Sequence, residues 1–449
     1  MTLGWCDHTI GRLARAIESQ EVSVRQVVDE TLARIANRDP ALTAFTSVLG
    51  DSACLDADNA DRDIAAGRYR GPLHGVPMSV KDLIDVGGVP TTAASRVREP
   101  VVARTDAPVV ARLRAAGAIL IGKCNLHEFA FGTTGEDSAF GPTRHPLDPG
   151  RSPGGSSSGS AVSVATGMAF ATLGTDTGGS IRIPAAACGV VGLKPTFGEV
   201  SCDGVVPLGP SLDHVGPLTR CVGDARLVYH AIRDHPPVAW PHSTATIGTL
   251  GCPRPYFLDR LDDEVRAVFE QAVTRLADAD WTVEDAPIRY AKDASAVCLH
   301  LLLPEASAVH ATSLADRPTA YTPGVRLRLE LGRYVLAEDY ARAQHGREAL
   351  GRAVDAALAG RHALVLPSLA IPAPPLGAST VEIGGETESL RAIMLRLTQL
   401  FNATGHPAIS IPCGLTTTGL PCGLQLVGRR HQTDQLLDVA EACEAALTD

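Results

Sequence analysis

The sequence predicts an α/β layered fold with a mostly parallel sheet covered by helices. Segments with helical periodicity alternate with short apolar, strand-like runs through the whole 449 residues, which is typical of such folds. The composition is 45% hydrophobic but only 4% aromatic, so we expect a core of mainly aliphatic side chains. Because neither an internal repeat nor a clear boundary divides the chain, residues 1–449 are predicted to form a single domain.

The first half of the chain contains two predicted helices and a strand. Ser23 and Gln26 have the spacing of a capping box, and apolar residues recur at helical intervals after them. Asp106 is predicted to cap a second helix, which Gly117 ends. The apolar run Ala118–Gly122 follows as a candidate for a buried strand.

The second half of the chain continues the same alternation. Residues Ile247 to Leu250 have the pattern of a strand, Val265 to Leu276 that of a helix, and Trp281 to Val283 that of another strand. Three further short strands, each bounded by Pro or Gly, are predicted at Ala363–Leu366, Ala408–Ile411 and Leu424–Gly428.

Charge and composition disfavour several classes of function. Forty basic and fifty acidic residues give a formal charge of −10, and no Lys/Arg cluster resembles a nucleic-acid footprint. The start of the chain lacks the pattern of a signal peptide, and no apolar run is long enough to span a bilayer. The eleven cysteines include no Cys-x-x-Cys pair, so we expect neither disulfides nor a metal site. A cytoplasmic protein without nucleic-acid or membrane partners is therefore expected.

The stretch from Pro149 to Gly216 is unusually rich in Gly, Ser and Pro. A flexible linker is one interpretation of its first part, residues 150–160. However, the stretch leads directly into the small apolar runs Ala161–Ala165 and Ala169–Gly174, which need close packing. Glycines between buried elements usually allow a positive φ angle or a close backbone approach, and we favour this second interpretation.

Three segments contain the residue types that nucleophilic catalysis needs, namely Val76–Leu83, Pro153–Ser160 and Gly174–Pro184. In the third, two glycines precede Ser180 and let the backbone turn sharply. The N–H groups of Thr177, Gly178, Gly179 and Ser180 could then converge on one point, as an oxyanion hole requires.

A reactive serine also needs a base, which is usually histidine. None of the fourteen histidines lies within the third segment. Lys81 is the other option, because apolar neighbours such as Met78 and Leu83 could bury it and keep it neutral near pH 7. Taken alone, this segment favours a lysine at a strand edge in water, since lysines are seldom buried.

Together, and in this order, the three segments resemble the amidase signature family. The hallmark of that family is a Gly-Gly-Ser-Ser-rich segment followed by Gly-Thr-Asp-x-Gly-Gly-Ser-Ile-Arg-x-Pro-Ala. The similarity covers nearly the whole chain, since it extends to Leu73–Pro77, Cys188–Thr196, Pro210–Pro217 and Gly419–Gly428. The resemblance implies one large domain with a mixed, twisted sheet enclosed by helices in α/β/α layers, and a catalytic core at residues 65–220.

The resemblance also implies an activity and a set of catalytic residues. Ser180 corresponds to the family's nucleophile, Ser156 to its partner serine after a cis peptide bond with Gly155, and Lys81 to its base. A stand-alone amidase of this kind cleaves the carbon–nitrogen bond of an amide, anilide or carbamate through an acyl-enzyme. It uses no cofactor or metal. Esterase or urethanase activity is expected as well, since the acyl-transfer chemistry is the same.

Four nearby residues are expected to support these groups. Asp176 and Arg182 flank the nucleophile with opposite charges, and a pair that braces the loop is favoured over direct substrate contact. Ser157 and Ser158 are expected to supply hydrogen bonds around the catalytic serines.

Two alternative functions are considered. The segment Gly155–Gly159 satisfies G-x-S-x-G, so Ser157 could be the nucleophile of an α/β-hydrolase-type esterase, but the preceding Asp148–Pro153 cannot be a central strand. The chain could also be the amidase subunit of a tRNA-dependent amidotransferase, whose subunits share the core motif. Against this, no basic run is present, and Phe129–Gly132 and Val205–Leu208 look more like stand-alone amidases.

The substrate pocket is expected within residues 290–400, mainly His300–Arg347 and Pro372–Leu395, with loops near Glu128 and Glu136. The apolar residues there favour an aryl or aliphatic substrate over a highly charged one. The resemblance is compatible with a monomer or a homodimer.

Overall fold

Eleven strands form one continuous sheet in the computed structural model, which describes residues 4–99, 101–234 and 247–448. The order across the sheet is β1-β3-β2-β4-β6-β5-β12-β13-β9-β7-β8, and β10 and β11 form a separate hairpin. The strands are β1 (Phe45–Val48), β2 (Pro77–Lys81), β3 (Ile119–Cys124), β4 (Ala171–Thr175), β5 (Val191–Lys194), β6 (Val215–Thr219), β7 (Thr249–Cys252), β8 (Thr282–Asp285), β9 (Ala363–Pro367), β10 (Thr380–Ile383), β11 (Glu386–Ser389), β12 (Ala408–Leu415) and β13 (Pro421–Val427).

Helices connect and cover these strands, so the α/β class is confirmed. Within the described residues, every helix is too short or too polar to cross a lipid bilayer. The helices are α1 (Ile10–Glu18), α2 (Val24–Leu42), α3 (Gly50–Ala65), α4 (Pro108–Ala115), α5 (Ser158–Ala165), α6 (Arg182–Cys188), α7 (Val222–Ile232), α8 (Asp263–Asp278), α9 (Ala294–Val309), α10 (Ala311–Asp316), α11 (Pro323–Gly332), α12 (Ala337–Leu358), α13 (Leu390–Leu395), α14 (Gln399–Ala403) and α15 (Thr433–Thr448).

The sheet is mixed, but the prediction of a mostly parallel sheet is wrong. Six of the ten strand pairs in the described sheet are antiparallel, and only β2–β3, β2–β4, β7–β8 and β7–β9 are parallel. The loop at residues 416–420 explains part of the difference. It is too short for a crossover, so β12 and β13 must form a hairpin, and this hairpin pairs antiparallel with its neighbours on both sides.

The predicted elements are present, with one error at a helix cap. Ser23 and Gln26 form the complete capping box of α2. The second predicted helix is α4, but its N-cap is Ala107, because the Asp106 carboxylate instead accepts a hydrogen bond from the Gly87 N–H at 2.7 Å. The strand predicted at Ala118–Gly122 is β3.

Two groups of helices pack on the sheet. Helices α7, α15 and α8 follow one another along β6, β5 and β12, and α4 packs on α7, while α5 and α6 pack against β4 and β13. Helices α9, α11, α12 and α14 form a third cluster beside the sheet. The segments that precede α5 and α6 meet where β2 and β4 end.

Candidate active site

Lys81 and Thr175 lie side by side because they end neighbouring parallel strands. Strands β2 and β4 pair with Val80 opposite Leu173, so their carboxyl ends reach the same edge of the sheet. The Lys81 Nζ atom donates hydrogen bonds to Thr175 Oγ1 and to Ser156 Oγ, both at 2.8 Å.

Lys81 is fully buried, at 0% exposure, and does not lie in water at a strand edge. Burial lowers its pKa to about 7, and the negative charges of Asp176 and Asp213 oppose this shift only in part. Among the described residues, no carboxylate forms an ion pair with the Lys81 ammonium group. A large fraction of this lysine is therefore a neutral amine near pH 7.

Ser156 links Lys81 to the neighbouring loops. Its peptide bond with Gly155 is cis, in agreement with the resemblance. Its side chain is fully buried, and its carbonyl oxygen accepts a hydrogen bond from the His127 N–H at 3.1 Å. The next N–H group, of Ser157, donates to the Ser180 carbonyl oxygen at 3.2 Å, so the two serine segments are directly connected.

The loop between β4 and α6 presents Ser180 to a cavity. Gly179 has a φ angle of 143°, and a Cβ atom there would lie 2.2 Å from Thr398 Oγ1, so a glycine is required. The Gly178 carbonyl oxygen accepts a hydrogen bond from Thr398 Oγ1 at 2.6 Å. Within the described structure, the N–H groups of residues 177–180 have no hydrogen-bond acceptor. These four donors are available to a ligand.

Asp176 and Arg182 form a fully buried, two-pronged ion pair beneath this loop. Arg182 Nη2 and Nε lie 2.9 Å and 3.1 Å from the two Asp176 carboxylate oxygens. Burial alone would raise the pKa of Asp176, but the Arg182 guanidinium outweighs it and holds the pKa well below its usual range. Asn402 and Gln425 accept further hydrogen bonds from Arg182, at 2.7 Å each. Neither charged residue lines the cavity, and their contacts hold the loop in place.

Asp213 fixes the same loop from the other side, a role that sequence reasoning missed. Its carboxylate accepts hydrogen bonds from Thr177 Oγ1 at 2.6 Å and from the Leu208 N–H at 2.9 Å. Burial raises its pKa to about 6. The family resemblance could have indicated Asp213, because this residue lies in the matching stretch Pro210–Pro217. Its contact with Thr177, however, cannot be predicted from the spacing of the two residues.

Ser157 and Ser158 are buried and hydrogen-bonded away from the cavity. The Ser157 hydroxyl donates to the Thr175 carbonyl oxygen at 3.2 Å, and the Ser158 hydroxyl donates to Thr143 Oγ1 at 3.1 Å. A nucleophile elbow would need a strand before Ser157, but residues 148–156 contain only an isolated bridge at Arg151. The α/β-hydrolase alternative is therefore not supported.

A cavity of about 240 Å³ opens in front of Ser180. Its wall is mainly apolar and combines the loop at residues 177–180 with α9 and α13, both within the predicted pocket segment 290–400. The predicted range Pro372–Leu395 contains Arg391, the only charged residue of the described cavity wall, but sequence reasoning did not single it out. The lining residues are Ala130, Phe131, Gly132, Thr133, Thr177, Gly178, Ser180, Leu208, Leu212, Ser295, Cys298, Leu299, Leu302, Ser389, Arg391, Ala392, Leu395 and Gln399.

Comparison with known proteins agrees with this geometry. An amidase from Pseudomonas putida is 39% identical over 98% of this chain and 96% of its own length. A subunit of the glutamyl-tRNA(Gln) amidotransferase from Anaeromyxobacter dehalogenans is also 39% identical, over 99% of this chain and 96% of its own.

Solved structures show the same fold. A crystal structure of an amidase superposes with a TM-score of 0.93 at 36% identity, covering 98% of this chain and all of the other. The substrate complex of a 6-aminohexanoate cyclic dimer hydrolase gives a TM-score of 0.89 at 27% identity, covering 99% and 98%. The sequence profile of the amidase family matches residues 26–437. The chain therefore belongs to the amidase signature family and is a hydrolase of carbon–nitrogen bonds.

Proposed function

We propose that this enzyme hydrolyses linear amides, anilides or carbamates through an acyl-enzyme on Ser180. Ser156 and neutral Lys81 transfer the protons, and the loop at residues 177–180 binds the oxyanion. One observation supports this proposal above all others. The Lys81 amine is fully buried, has no acidic partner among the described residues, and lies 2.8 Å from the hydroxyl of Ser156.

In the first step, the Ser180 oxygen attacks the substrate carbonyl carbon. Its proton passes to the Ser156 oxygen as the proton of Ser156 passes to Lys81 Nζ, whose lone pair is free while the amine is neutral. The direction of this transfer follows from the lowered pKa of Lys81, which leaves a large fraction of the amine unprotonated near neutral pH.

The tetrahedral oxyanion then accepts hydrogen bonds from backbone N–H groups. A trans peptide points its N–H opposite to its carbonyl, and the Gly178 carbonyl is bound to Thr398. The Gly179 N–H therefore points away from Thr398 and is among the donors available to the substrate oxygen. Because Asp176, Arg182 and Asp213 hold the loop rigidly, these donors need no rearrangement during the reaction.

In the second step, Ser156 protonates the leaving nitrogen and recovers a proton from Lys81. The carbon–nitrogen bond breaks, the amine departs, and the acyl group remains as an ester of Ser180. Water then attacks this ester while Ser156 and Lys81 accept its proton, which releases the acid and restores Ser180. Carbamates and esters fit the same steps. We propose that residues 65–220 supply this machinery and residues 290–400 the pocket, within one domain of residues 1–449.

A second candidate function is the glutaminase subunit of a tRNA-dependent amidotransferase. The 39% identity to a glutamyl-tRNA(Gln) amidotransferase subunit favours it. In that case, glutamine would be the only substrate, and the chain would copurify with other subunits. We favour the stand-alone enzyme, because no basic run is present in the sequence.

The nucleophile can be identified by trapping the acyl-enzyme. The protein is mixed with a chromogenic anilide or ester, quenched in acid within a turnover, digested and examined by mass spectrometry. The proposal expects an acyl group on the peptide containing Ser180, and no adduct and no turnover in Ser180→Ala. An adduct on Ser157 or on a cysteine, or full activity in Ser180→Ala, would overturn the proposal.

A further inference from the structure

Arg391 is the only charged side chain among the residues that line the described Ser180 cavity. It lies near the start of α13, on the wall formed by Ser389, Ala392 and Leu395. The remaining lining residues are apolar or uncharged. A single cation in such a wall destabilises the protein unless an anion lies beside it, because only a nearby partner offsets the free energy of removing the charge from water.

Nothing in the described part of the protein supplies that partner. The Arg391 side chain has neither an ion pair nor a hydrogen bond there, and its guanidinium carbon lies 5.6 Å from the centroid of the Phe131 ring. Burial and repulsion from Arg328 lower the pKa of Arg391 to about 9, so it is still a cation at neutral pH.

Arg328 is a neighbouring arginine that differs from Arg391 in having acidic residues nearby. Its guanidinium also contacts the Phe131 ring, at 5.3 Å, so two cations flank the same aromatic side chain. Burial lowers the pKa of Arg328 too, but the negative charges of Asp137 and Glu128 oppose the shift. Within the described part of the chain, no such acidic neighbour offsets the charge of Arg391.

We propose that Arg391 binds a carboxylate of the substrate, so that the preferred substrates are small amides carrying a negative charge. This inference rests on the proposed hydrolysis at Ser180 and deepens it by naming the substrate class. It departs from the expectation of an aryl or aliphatic substrate rather than a highly charged one, which was based on the apolar residues of the sequence. An arginine fork suits a carboxylate, with which it forms two parallel hydrogen bonds.

The cavity also limits the size and the charge of such a substrate. Its volume of about 240 Å³ is below the range of about 300–1,000 Å³ that is typical of drug-sized ligands. Since no acidic residue lines the described cavity, it offers no partner for an ammonium group. A monoamide of a short dicarboxylic acid therefore fits better than glutamine, which carries both charges.

The test compares charged and neutral substrates of equal shape. The monoamides of malonic, succinic, glutaric and adipic acid place the carboxylate on the acyl side, and N-acyl glycines and β-alanines place it on the amine side. Each is paired with an analogue in which an isopropyl group replaces the carboxylate. We expect kcat/KM to favour the best charged member by about 10- to 100-fold, the value of a hydrogen bond to a charged group.

Arg391→Met should remove this preference, so that the charged and neutral members of each pair are hydrolysed with kcat/KM values within about threefold of each other. Arg396→Met is the matched control. Arg396 also stacks on an aromatic ring, that of Tyr256, but it forms an ion pair with Asp259 at 2.8 Å and does not line the cavity. This control should keep the full preference for the charged substrate.

The contact between Arg391 and the substrate carboxylate can also be tested without turnover. For this, binding of the same monoamides to Ser180→Ala is measured by calorimetry. The charged amides should bind, and the double variant Ser180→Ala/Arg391→Met should bind them about 10- to 100-fold more weakly. A wild type that prefers every neutral analogue, or equal binding by both proteins, would overturn the role of Arg391 and leave catalysis by Ser180 intact. Undiminished hydrolysis by Ser180→Ala would overturn the catalytic proposal alone.

Discussion

Strands β2 and β3 lie side by side and each carries a fully buried lysine, Lys81 and Lys123 respectively. Burial lowers the pKa of both side chains. They differ in their partners. Lys123 Nζ lies 3.0 Å from an Asp82 carboxylate oxygen, whereas Lys81 Nζ contacts only the hydroxyls of Ser156 and Thr175 in the described structure.

We infer from this difference that Lys123 has a structural role and Lys81 the proposed catalytic role. Lys123 is paired with the Asp82 carboxylate and holds the segment after β2 in place. Hydroxyl groups do not compensate a full charge, so Lys81 is stable as an amine that can accept a proton. Two lysines of equal burial on adjacent strands are therefore expected to respond in opposite ways to the same substitution.

Replacing Lys81 by Met should abolish catalysis without harming the fold. We expect kcat to fall by about 10⁴-fold or more, as for other catalytic groups that act as a unit. The free energy of unfolding should stay equal or rise, because an apolar side chain of similar length removes the desolvation cost. Steady-state kinetics and urea unfolding measure the two effects. A variant that retains more than about a tenth of the activity would contradict the role of Lys81.

Lys123→Met is the matched substitution and should produce the reverse pattern. It leaves the Asp82 carboxylate buried without its cation, which costs about 3–5 kcal/mol of unfolding free energy. The folded fraction should keep its kcat to within about tenfold, since Lys123 does not contact the serines. Equal losses of activity in both variants would show that burial alone, and not the partner, decides the role.

The pH dependence should follow the protonation of Lys81. Because its pKa is lowered to about 7, the amine is neutral above that pH and becomes charged as the pH falls. Activity requires the neutral form, so kcat/KM should decrease about tenfold per pH unit below pH 7 and level off above it. Stopped assays with a neutral amide between pH 5 and 9 measure this profile. A flat profile would be inconsistent with general-base catalysis by Lys81.

Ser157→Ala should have the smallest effect. The hydroxyl binds the Thr175 backbone and lies outside the cavity, so we expect a loss of at most about tenfold in kcat/KM and about 1 kcal/mol in stability. Loss of turnover as severe as that of Ser180→Ala would instead identify Ser157 as a second essential group.

Much of this arrangement could be predicted from sequence because it depends on local patterns. The α/β alternation, the capping box of α2 and the glycines before Ser180 all have short-range signatures. The family resemblance adds Lys81 and Ser156, which lie far apart in the chain and cannot be connected by spacing alone.

The rest depends on contacts that no local pattern encodes. The neighbours of β5 and β6 are determined by the packing of strands that are distant in the chain. The sequence pattern therefore does not show that most strand pairs of the described sheet are antiparallel. Asp213 reaches Thr177 across 36 residues, and the lack of a partner for Arg391 in the described structure is visible only once its neighbours are placed. The apolar residues near Leu301 predicted an apolar pocket, and nothing in the sequence pattern indicated that Arg391 also lines the described cavity.

The central claim is that Lys81 is a neutral amine at working pH, and NMR can test it directly. The chain contains only four lysines, so labelling lysine with ¹³C at Cε and ¹⁵N at Nζ gives four resolvable signals. The signal absent from Lys81→Met identifies residue 81. We predict that it titrates with a midpoint near pH 7. A Lys81 signal that stays protonated above about pH 9 would contradict the account.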